Sequence, residues 1–271
     1  MPQIINTNIS SLNAQRNLNT SQNSLFTSLQ RLSSGLRVNS SKDDAAGMAV
    51  AEKMNSQARG MSVAIRNSND GISLAQTAEA GMNVITEHLQ RMRELAVQSA
   101  SGQYDEENRS AIDTEYQQLA SEISRVISAT NFNGKLLLDG TFSSGITFQV
   151  GATTSPESQI NVSIAELSID AGDILDVTNS LSAMSALDDL IKQVNNNRAD
   201  LGAIQNRFEG VLTQLASAHE STEASRSRIM DADYAAETAK LARAQVLQQA
   251  GVAMLSQANA LPQNVLRLLQ G

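Results

Sequence analysis

The residues best suited to chemistry are the two histidines of the chain, His88 and His219. His219 and Glu220 begin the pattern H-E-x-x-H, in which two histidines on one helix face bind zinc and the glutamate acts as a base. Position 223 is Glu, so the second histidine ligand of this pattern is missing. We therefore interpret His219 as a polar helix position and His88 as a solvated side chain.

Two further groups of charged residues have the composition of a site: Lys42 with Asp43 and Asp44, and Asp231 with Asp233 and Glu237. The first group has the residue types of an acid–base cluster, and the second faintly resembles a set of metal ligands. Acidic residues at the start of a helix are also favoured by the helix dipole and by capping. We prefer this capping interpretation for both groups. The sequence contains no phosphate-binding loop and no nucleophile elbow, so we predict no enzyme, no cofactor and no metal site.

Composition excludes several classes of function. The chain has 271 residues, and 28 acidic against 20 basic residues give a formal net charge of −8. This acidic balance argues against binding of nucleic acid, which needs a basic surface. Since there is no cysteine, disulfides and thiolate metal sites are excluded. No apolar run approaches the roughly 20 residues of a membrane span. The N-terminus lacks the pattern of a secretory signal peptide, which leaves a cytoplasmic protein or export by another route.

The two ends of the chain carry heptad repeats, the pattern of a coiled coil. Near the N-terminus the repeat consists of Leu18, Leu25 and Leu32. Near the C-terminus two repeats run together, a large-residue repeat of Leu247, Met254, Leu261 and Leu268 and a small-residue repeat of Ala244, Gly251, Ala258 and Val265. Each end has few large residues to bury, so each helix alone should be marginal. We expect its partner to be the opposite terminus or another copy of the chain.

The residues between these ends predict long helices. One helix is expected to open near residue 44, and further helices cover about 70–100, 105–129 and 181–229. The most regular apolar stripe consists of Ala75, Ala78, Met82, Ile85, Leu89, Met92 and Ala96. Alternating apolar residues around 146–164 predict a β-hairpin. The predicted fold is therefore mainly α, a long antiparallel helical rod with terminal coiled-coil helices and a small β-hairpin region.

Several long motifs in the chain are distinctive. The first part contains MPQIINTNISSLNAQRNL, LQRLSSGLRVNSSKDDAAGMAVAEKM, LQRMRELAVQSA and TNFNGKLLLDG, which resemble the N-terminal region of bacterial flagellin. Its C-terminal region is matched by SRIMDADYAAETAKLARAQVLQQAGVAMLSQANALPQNVLRLL. The resemblance covers about 1–140 and 185–271. The remaining segment is short, so the chain resembles a minimal flagellin without large outer variable domains.

The resemblance implies a structural subunit that polymerises into the flagellar filament for swimming motility. The implied domains are an N-terminal inner-tube helix at 1–42, rod-domain helices with the β-hairpin region at 43–180, a returning rod helix at 181–230, and a C-terminal inner-tube helix at 231–271. The large-residue C-terminal repeat, with Leu18, Leu25 and Leu32, would then form the inner-tube seam. The alternative within the same family is the hook–filament junction protein.

The resemblance also implies partners and a location. The expected partners are other copies of the chain, a flagellar export chaperone, and the filament cap and hook-junction proteins. The expected location is the extracellular flagellum, reached by type III export without a cleaved signal peptide. One charged run matches a flagellin segment that makes protofilament contacts and that animal Toll-like receptor 5 recognises: Gln90, Arg91, Arg93, Glu94, Leu95 and Gln98, with Glu115 on the next helix. From the residues alone, a solvated face and an interaction surface both remain open for this run.

Overall fold

The computed structural model describes residues 7–270, and it describes side chains up to residue 260. The helices are α1 (Ile9–Ser34), α2 (Ala45–Ser99), α3 (Glu106–Ala129), α4 (Val177–Met230) and α5 (Tyr234–Gln270). The strands are β1 (Asn131–Phe132), β2 (Lys135–Leu136), β3 (Ile146–Gln149) and β4 (Gln159–Val162). The prediction of a mainly α fold with a small β-hairpin region is confirmed. None of the helices in this part of the chain has the length and apolar character needed to cross a membrane.

The chain divides into two compact units. The terminal unit comprises Met1–Ser56 and Ser221–Gly271, and the central unit comprises Gln57–Glu220. Because α2 and α4 run through the boundaries at 56/57 and 220/221, each of these helices contributes residues to both units.

In the terminal unit, α1 and α5 pack against each other in antiparallel orientation. At the start of α1, the Asn8 side-chain amide donates a hydrogen bond to the Ala258 carbonyl at 2.7 Å. At its other end, the Tyr234 hydroxyl donates to the Leu32 carbonyl at 3.2 Å. The terminal helices therefore pair with each other. The opposite terminus was one of the two partners that the sequence predicted for each of them.

The segments that lead out of α1 and into α5 are joined by backbone hydrogen bonds. Gly35 ends α1 in a left-handed conformation, with φ of +72°, which glycine adopts without strain. Leu36 and Asp231 then form an antiparallel β-bridge, and the Ala232 amide donates to the Gly35 carbonyl at 2.9 Å. We call these contacts the backbone bridge. The break predicted at the end of the first heptad repeat is thus the place where distant parts of the chain meet.

In the central unit, α2, α3, α4 and the hairpin strands surround one hydrophobic core. All seven residues of the stripe predicted on α2 are at most 2% exposed. Phe208 of α4 is fully buried and contacts the ring of Phe148 from β3 edge to face, with ring centroids 5.7 Å apart. A Cβ atom added to Gly71 of α2 would lie 2.5 Å from the Phe208 ring. The glycine thus makes room for an aromatic side chain that joins α2, α4 and the hairpin.

The largest difference from the predicted helix boundaries lies in α2. The sequence suggested a helix opening near 44 and a separate helix over about 70–100, whereas α2 is continuous from Ala45 to Ser99. Gly60 and Gly71 weaken a helix by about 1 kcal/mol each relative to alanine. In the folded chain both glycines lie against neighbours, Gly60 against Ala152 and Gly71 against Phe208. Tertiary packing therefore carries the helix through both positions.

Candidate interaction surfaces

An exposed polar stripe runs along the C-terminal half of α2. Gln90, Glu94 and Gln98 are four residues apart and exposed, because this spacing returns to the same side of a helix after about one turn. The Gln98 amide donates a hydrogen bond to the Tyr104 hydroxyl at 3.1 Å. These three residues, with Arg91, Arg93 and Glu115 beside them, are called the α2 surface below.

Arg91 connects the α2 surface to α3. Its guanidinium lies 2.9 Å from a carboxylate oxygen of Glu94 and 2.9 Å from one of Glu115. The hydrogen bonds to Glu94 and then to Glu115 hold the pKa of Arg91 above its ordinary value. Since all three side chains are about half exposed or more, these ion pairs are screened by solvent. Their main effect is to hold the guanidinium in place over the α2–α3 boundary.

Arg93 extends to the other neighbour of α2. Its Nε lies 2.6 Å from Asp188 Oδ1 of α4, and Nη2 lies 3.4 Å from Oδ2. The hydrogen bond from Arg93 holds the pKa of the Asp188 carboxyl below its ordinary value. Arg91 thus extends toward α3 and Arg93 toward α4. Both arginines lie on α2, the helix that also carries the exposed polar stripe. No sequence pattern pointed to Asp188, because its partner Arg93 lies 95 residues away in the chain.

Leu95 is the one residue of the predicted surface that the structure places elsewhere. It is only 2% exposed and belongs to the core of the central unit. Its position follows from helix geometry, because Leu95 lies three residues after the buried Met92 and so shares its face. Leu95 supports the α2 surface from below and is not part of it.

The pairing of α1 and α5 uses the small-residue repeat of α5. Ala244 and Ala258 are 5% and 7% exposed, and a Cβ atom added to Gly251 would lie 3.8 Å from Leu18 Cβ. Leu18, Leu25 and Leu32 are each half-buried. Small side chains on one helix opposite leucines on the other allow the two backbones to approach closely.

The large-residue repeat of α5 lies outside this pairing. Leu247 is 51% exposed and Met254 is 65% exposed. Leu261 and Leu268, the other two residues of this repeat, lie outside the residues whose side chains are described. Other exposed apolar side chains of the pair are Ile9, Leu12, Phe26, Leu29, Val246 and Val252. Extended apolar exposure of this kind marks an interaction surface.

Glu237 is a buried acid within the α1–α5 interface. It is 4% exposed, accepts a hydrogen bond from the Ser28 hydroxyl at 2.9 Å, and forms an ion pair with Lys240 at 3.0 Å. Burial raises the pKa of Glu237, but the hydrogen bonds from Lys240 and Ser28 outweigh burial, and the net pKa is lowered. The interpretation of Glu237 as a capping residue is therefore wrong.

Two other acids do cap helices, as interpreted. The Asp44 carboxylate accepts a hydrogen bond from the Gly47 amide at 2.8 Å, and the Asp233 carboxylate accepts from the amides of Ala235 and Ala236. These bonds satisfy donors at the first turns of α2 and α5 that have no partner within the helix.

The histidine that opens the incomplete zinc pattern is bound within the fold. His219 Nε2 lies 3.2 Å from the Ser62 hydroxyl in the central unit. Glu223, at the position of the missing ligand, forms an ion pair with Arg226 at 2.9 Å in the terminal unit. Among the described residues, no group of three or more His, Asp or Glu residues is arranged to hold a metal ion.

Two family models together match most of the chain. A family model for the bacterial flagellin N-terminal helical region matches residues 5–143, and one for the bacterial flagellin C-terminal helical region matches residues 184–269. A flagellin of Halalkalibacterium halodurans is 44% identical over 272 residues, which cover 98% of this chain and 100% of the relative. The flagellar filament 33 kDa core protein of Treponema phagedenis is 41% identical over 285 residues, which cover 98% of this chain and 100% of that relative.

Solved structures also match part of the chain. The crystal structure of Bacillus cereus flagellin has a TM-score of 0.48 at 28% sequence identity, and the match covers 55% of this chain and 88% of that one.

Proposed function

This chain belongs to the bacterial flagellin family and is a structural subunit of a filament, and from that premise we propose how its two units serve assembly. The single observation that carries the proposal is the α1–α5 pair, which buries its small residues and leaves large apolar residues exposed. Exposed apolar area on a helix pair is stabilised by contact with further pairs. Copies of one chain that associate head to tail without closing a ring form a helical filament.

The terminal unit is proposed to form the inner tube of the filament. The segments 1–42 and 231–271 contribute the paired helices, and 43–180 and 181–230 contribute the rod domain. The small-residue repeat joins α1 to α5 within one copy. Leu247 and Met254, which are exposed in the single chain, then contact neighbouring copies as the tube forms. Leu261 and Leu268 are proposed to continue this contact.

The α2 surface is proposed to make contacts between protofilaments. Its support is the combination of an exposed stripe with two arginines that ion pairs hold toward α3 and α4. A surface held in this way loses little side-chain entropy on binding. The same residues are proposed to be recognised by Toll-like receptor 5 where an animal host meets the monomer.

The remaining proposals concern export and the ends of the filament. A cytoplasmic export chaperone is proposed to bind the segment 229–269 before assembly, and cap and hook-junction proteins are proposed to contact the two filament ends. The filament is proposed to lie outside the cell, reached by type III export without cleavage of a signal peptide. No catalytic role is proposed, since the family role is structural. The hook–filament junction alternative is not favoured, because two relatives that are more than 40% identical to this chain are a flagellin and a flagellar filament core protein.

Assembly of purified protein tests the central proposal. The chain is salted out with ammonium sulfate, seeded with filament fragments, and viewed by negative-stain electron microscopy. Long, uniform, hollow filaments are expected, and persistent monomers with intact termini would contradict the proposal. The variant Leu247→Gln with Met254→Gln should assemble poorly, because it removes the exposed apolar face of α5. Val84→Gln, a substitution at a 38% exposed position in the central unit, serves as the matched control.

Receptor signalling tests the second role of the α2 surface. Glu94→Ala combined with Gln90→Ala should weaken activation of cells that carry Toll-like receptor 5, whereas Asn83→Ala, at an exposed position of the same helix, should not. Equal potency of the two variants as monomers would refute this role and leave filament assembly untouched.

A further inference from the structure

A groove lined by cationic side chains runs along one side of the α1–α5 pair. Its volume is about 560 Å³, and it is bounded by α1 from Thr20 to Arg31 and by α5 from Glu237 to Leu247. Three basic side chains line it: Arg31, Lys240 and Arg243. Its one acidic residue is Glu237, which is buried at the base and is bonded to Ser28 and Lys240.

The guanidinium groups of the groove have unused hydrogen-bonding capacity. Arg31 Nε is buried and has no hydrogen-bond partner in the described part of the chain. Within residues 7–260, neither Arg31 nor Arg243 has a carboxylate at ion-pair distance. A buried donor without a partner costs free energy that an acceptor entering the groove would recover.

The other side chains of the groove narrow the choice of ligand. Thr20, Ser21, Ser24 and Thr27 each donate their hydroxyl proton to the carbonyl four residues earlier in α1. The donors that remain for a ligand are therefore chiefly the cationic groups. Arginine forks fit a carboxylate with two parallel hydrogen bonds, so the groove suits an acidic side chain.

The chain itself is rich in the matching group. The terminal unit carries 10 basic and 7 acidic residues, a net charge of +3, whereas the central unit carries 10 basic and 21 acidic residues, a net charge of −11. A filament holds identical copies against each other, which gives a carboxylate of one copy a high effective concentration at the groove of the next. Charge complementarity therefore favours a second copy of this chain over a foreign ligand.

We propose that the groove lined by Arg31, Lys240 and Arg243 binds a carboxylate side chain of a neighbouring copy in the filament. This inference rests on the proposed function, because it requires copies packed side by side. It adds a charged contact to the apolar packing of Leu247 and Met254, and the charged contact fixes how one copy is placed against the next.

Zero-length cross-linking tests the contact directly. Filaments are grown from equal amounts of chain labelled with ¹⁴N and with ¹⁵N, and a carbodiimide is added to join lysine amines to adjacent carboxylates. Mass spectrometry should find Lys240 joined to an Asp or Glu in peptides of mixed label. Links from Lys240 to Glu237 of its own chain alone, or no link at all, would overturn the proposal.

Assembly of charge variants gives an independent test. Loss of one charge-assisted hydrogen bond should raise the critical concentration for polymerisation about tenfold in Arg31→Gln with Arg243→Gln, and should flatten its dependence on salt. Arg16→Gln, at an exposed position of the same helix outside the groove, is the matched control. A critical concentration equal to that of the control would refute the groove contact. Failure of the unaltered chain to form filaments would instead refute the proposed function.

Discussion

Gly71 provides the sharpest test of how the central unit holds its helices together. Replacement by alanine has two opposing effects. Alanine stabilises a helix interior by about 1 kcal/mol relative to glycine. Against this, the new Cβ would lie 2.5 Å from Phe208 Cζ and 2.9 Å from Cε2, which is well inside van der Waals contact. Which effect is larger depends on whether the Phe208 ring can move.

The structure indicates that the ring cannot move freely. Phe208 is fully buried, and Phe148 packs against it edge to face. Overpacking of a well-filled core costs about 1–3 kcal/mol, and the contacts here favour the upper half of that range. After subtraction of the helix gain, Gly71→Ala should lower the free energy of unfolding by about 1–2 kcal/mol.

The measurement is urea unfolding followed by far-ultraviolet circular dichroism, with Gly210→Ala as the control. Gly210 also lies inside a long helix, and an added Cβ there meets nothing within 4 Å. The control should therefore raise the free energy of unfolding by about 0.5–1 kcal/mol. If both variants are stabilised equally, the argument that Phe208 requires a glycine at position 71 is wrong.

Three further predictions concern the terminal unit. Leu18→Cys with Gly251→Cys should form a disulfide on mild oxidation of filaments, because the two Cβ positions are 3.8 Å apart. Leu18→Cys with Ala244→Cys, one heptad away, should not, and equal disulfide yields on non-reducing gels would contradict the register of α1 against α5. Since the folded-state pKa of Glu237 is lowered, its stabilising effect is complete above the ordinary glutamate pKa and is lost as pH falls through the folded value. Glu237→Gln removes this ionisable group, so the pH at which filaments lose helicity should change. Identical acid titrations of the variant and the unaltered chain would exclude stabilisation by the Glu237 carboxylate. Ala258→Leu should wedge α1 from α5 at a 7% exposed position and lock or prevent filament assembly; an unchanged waveform under flow would contradict it.

The sequence predicted the helical fold well because its apolar residues recur with helical period. Every residue of the stripe from Ala75 to Ala96 is buried as its spacing required. The continuity of α2 could not be predicted in the same way. Gly60 and Gly71 favour a break when only local preferences count, and the contacts that override them come from residues 152 and 208.

The interaction surfaces of α2 and α5 were also predictable in part, because they too follow the helical period. The α2 surface could be located from its charged residues. Leu95 was wrongly included in it, because its spacing from Met92 places Leu95 inside the core. At the C-terminal end, both heptad repeats were visible in the sequence. Period alone does not say which repeat faces α1, because positions three residues apart, such as Ala244 and Leu247, both fit a coiled-coil seam. The choice between them depends on how closely the two backbones approach, as Leu18 and Gly251 show.

The backbone bridge between Leu36 and Asp231 also constrains the order in which the chain folds. The two residues are separated by nearly two hundred positions, so the bridge has high contact order and closes late. Because synthesis begins at the N-terminus, α1 is made long before α5. For all that time the first helix lacks its intramolecular partner. The terminal unit can therefore fold only in a chain that includes α5. A chain that ends before α5 leaves α1 without its intramolecular partner.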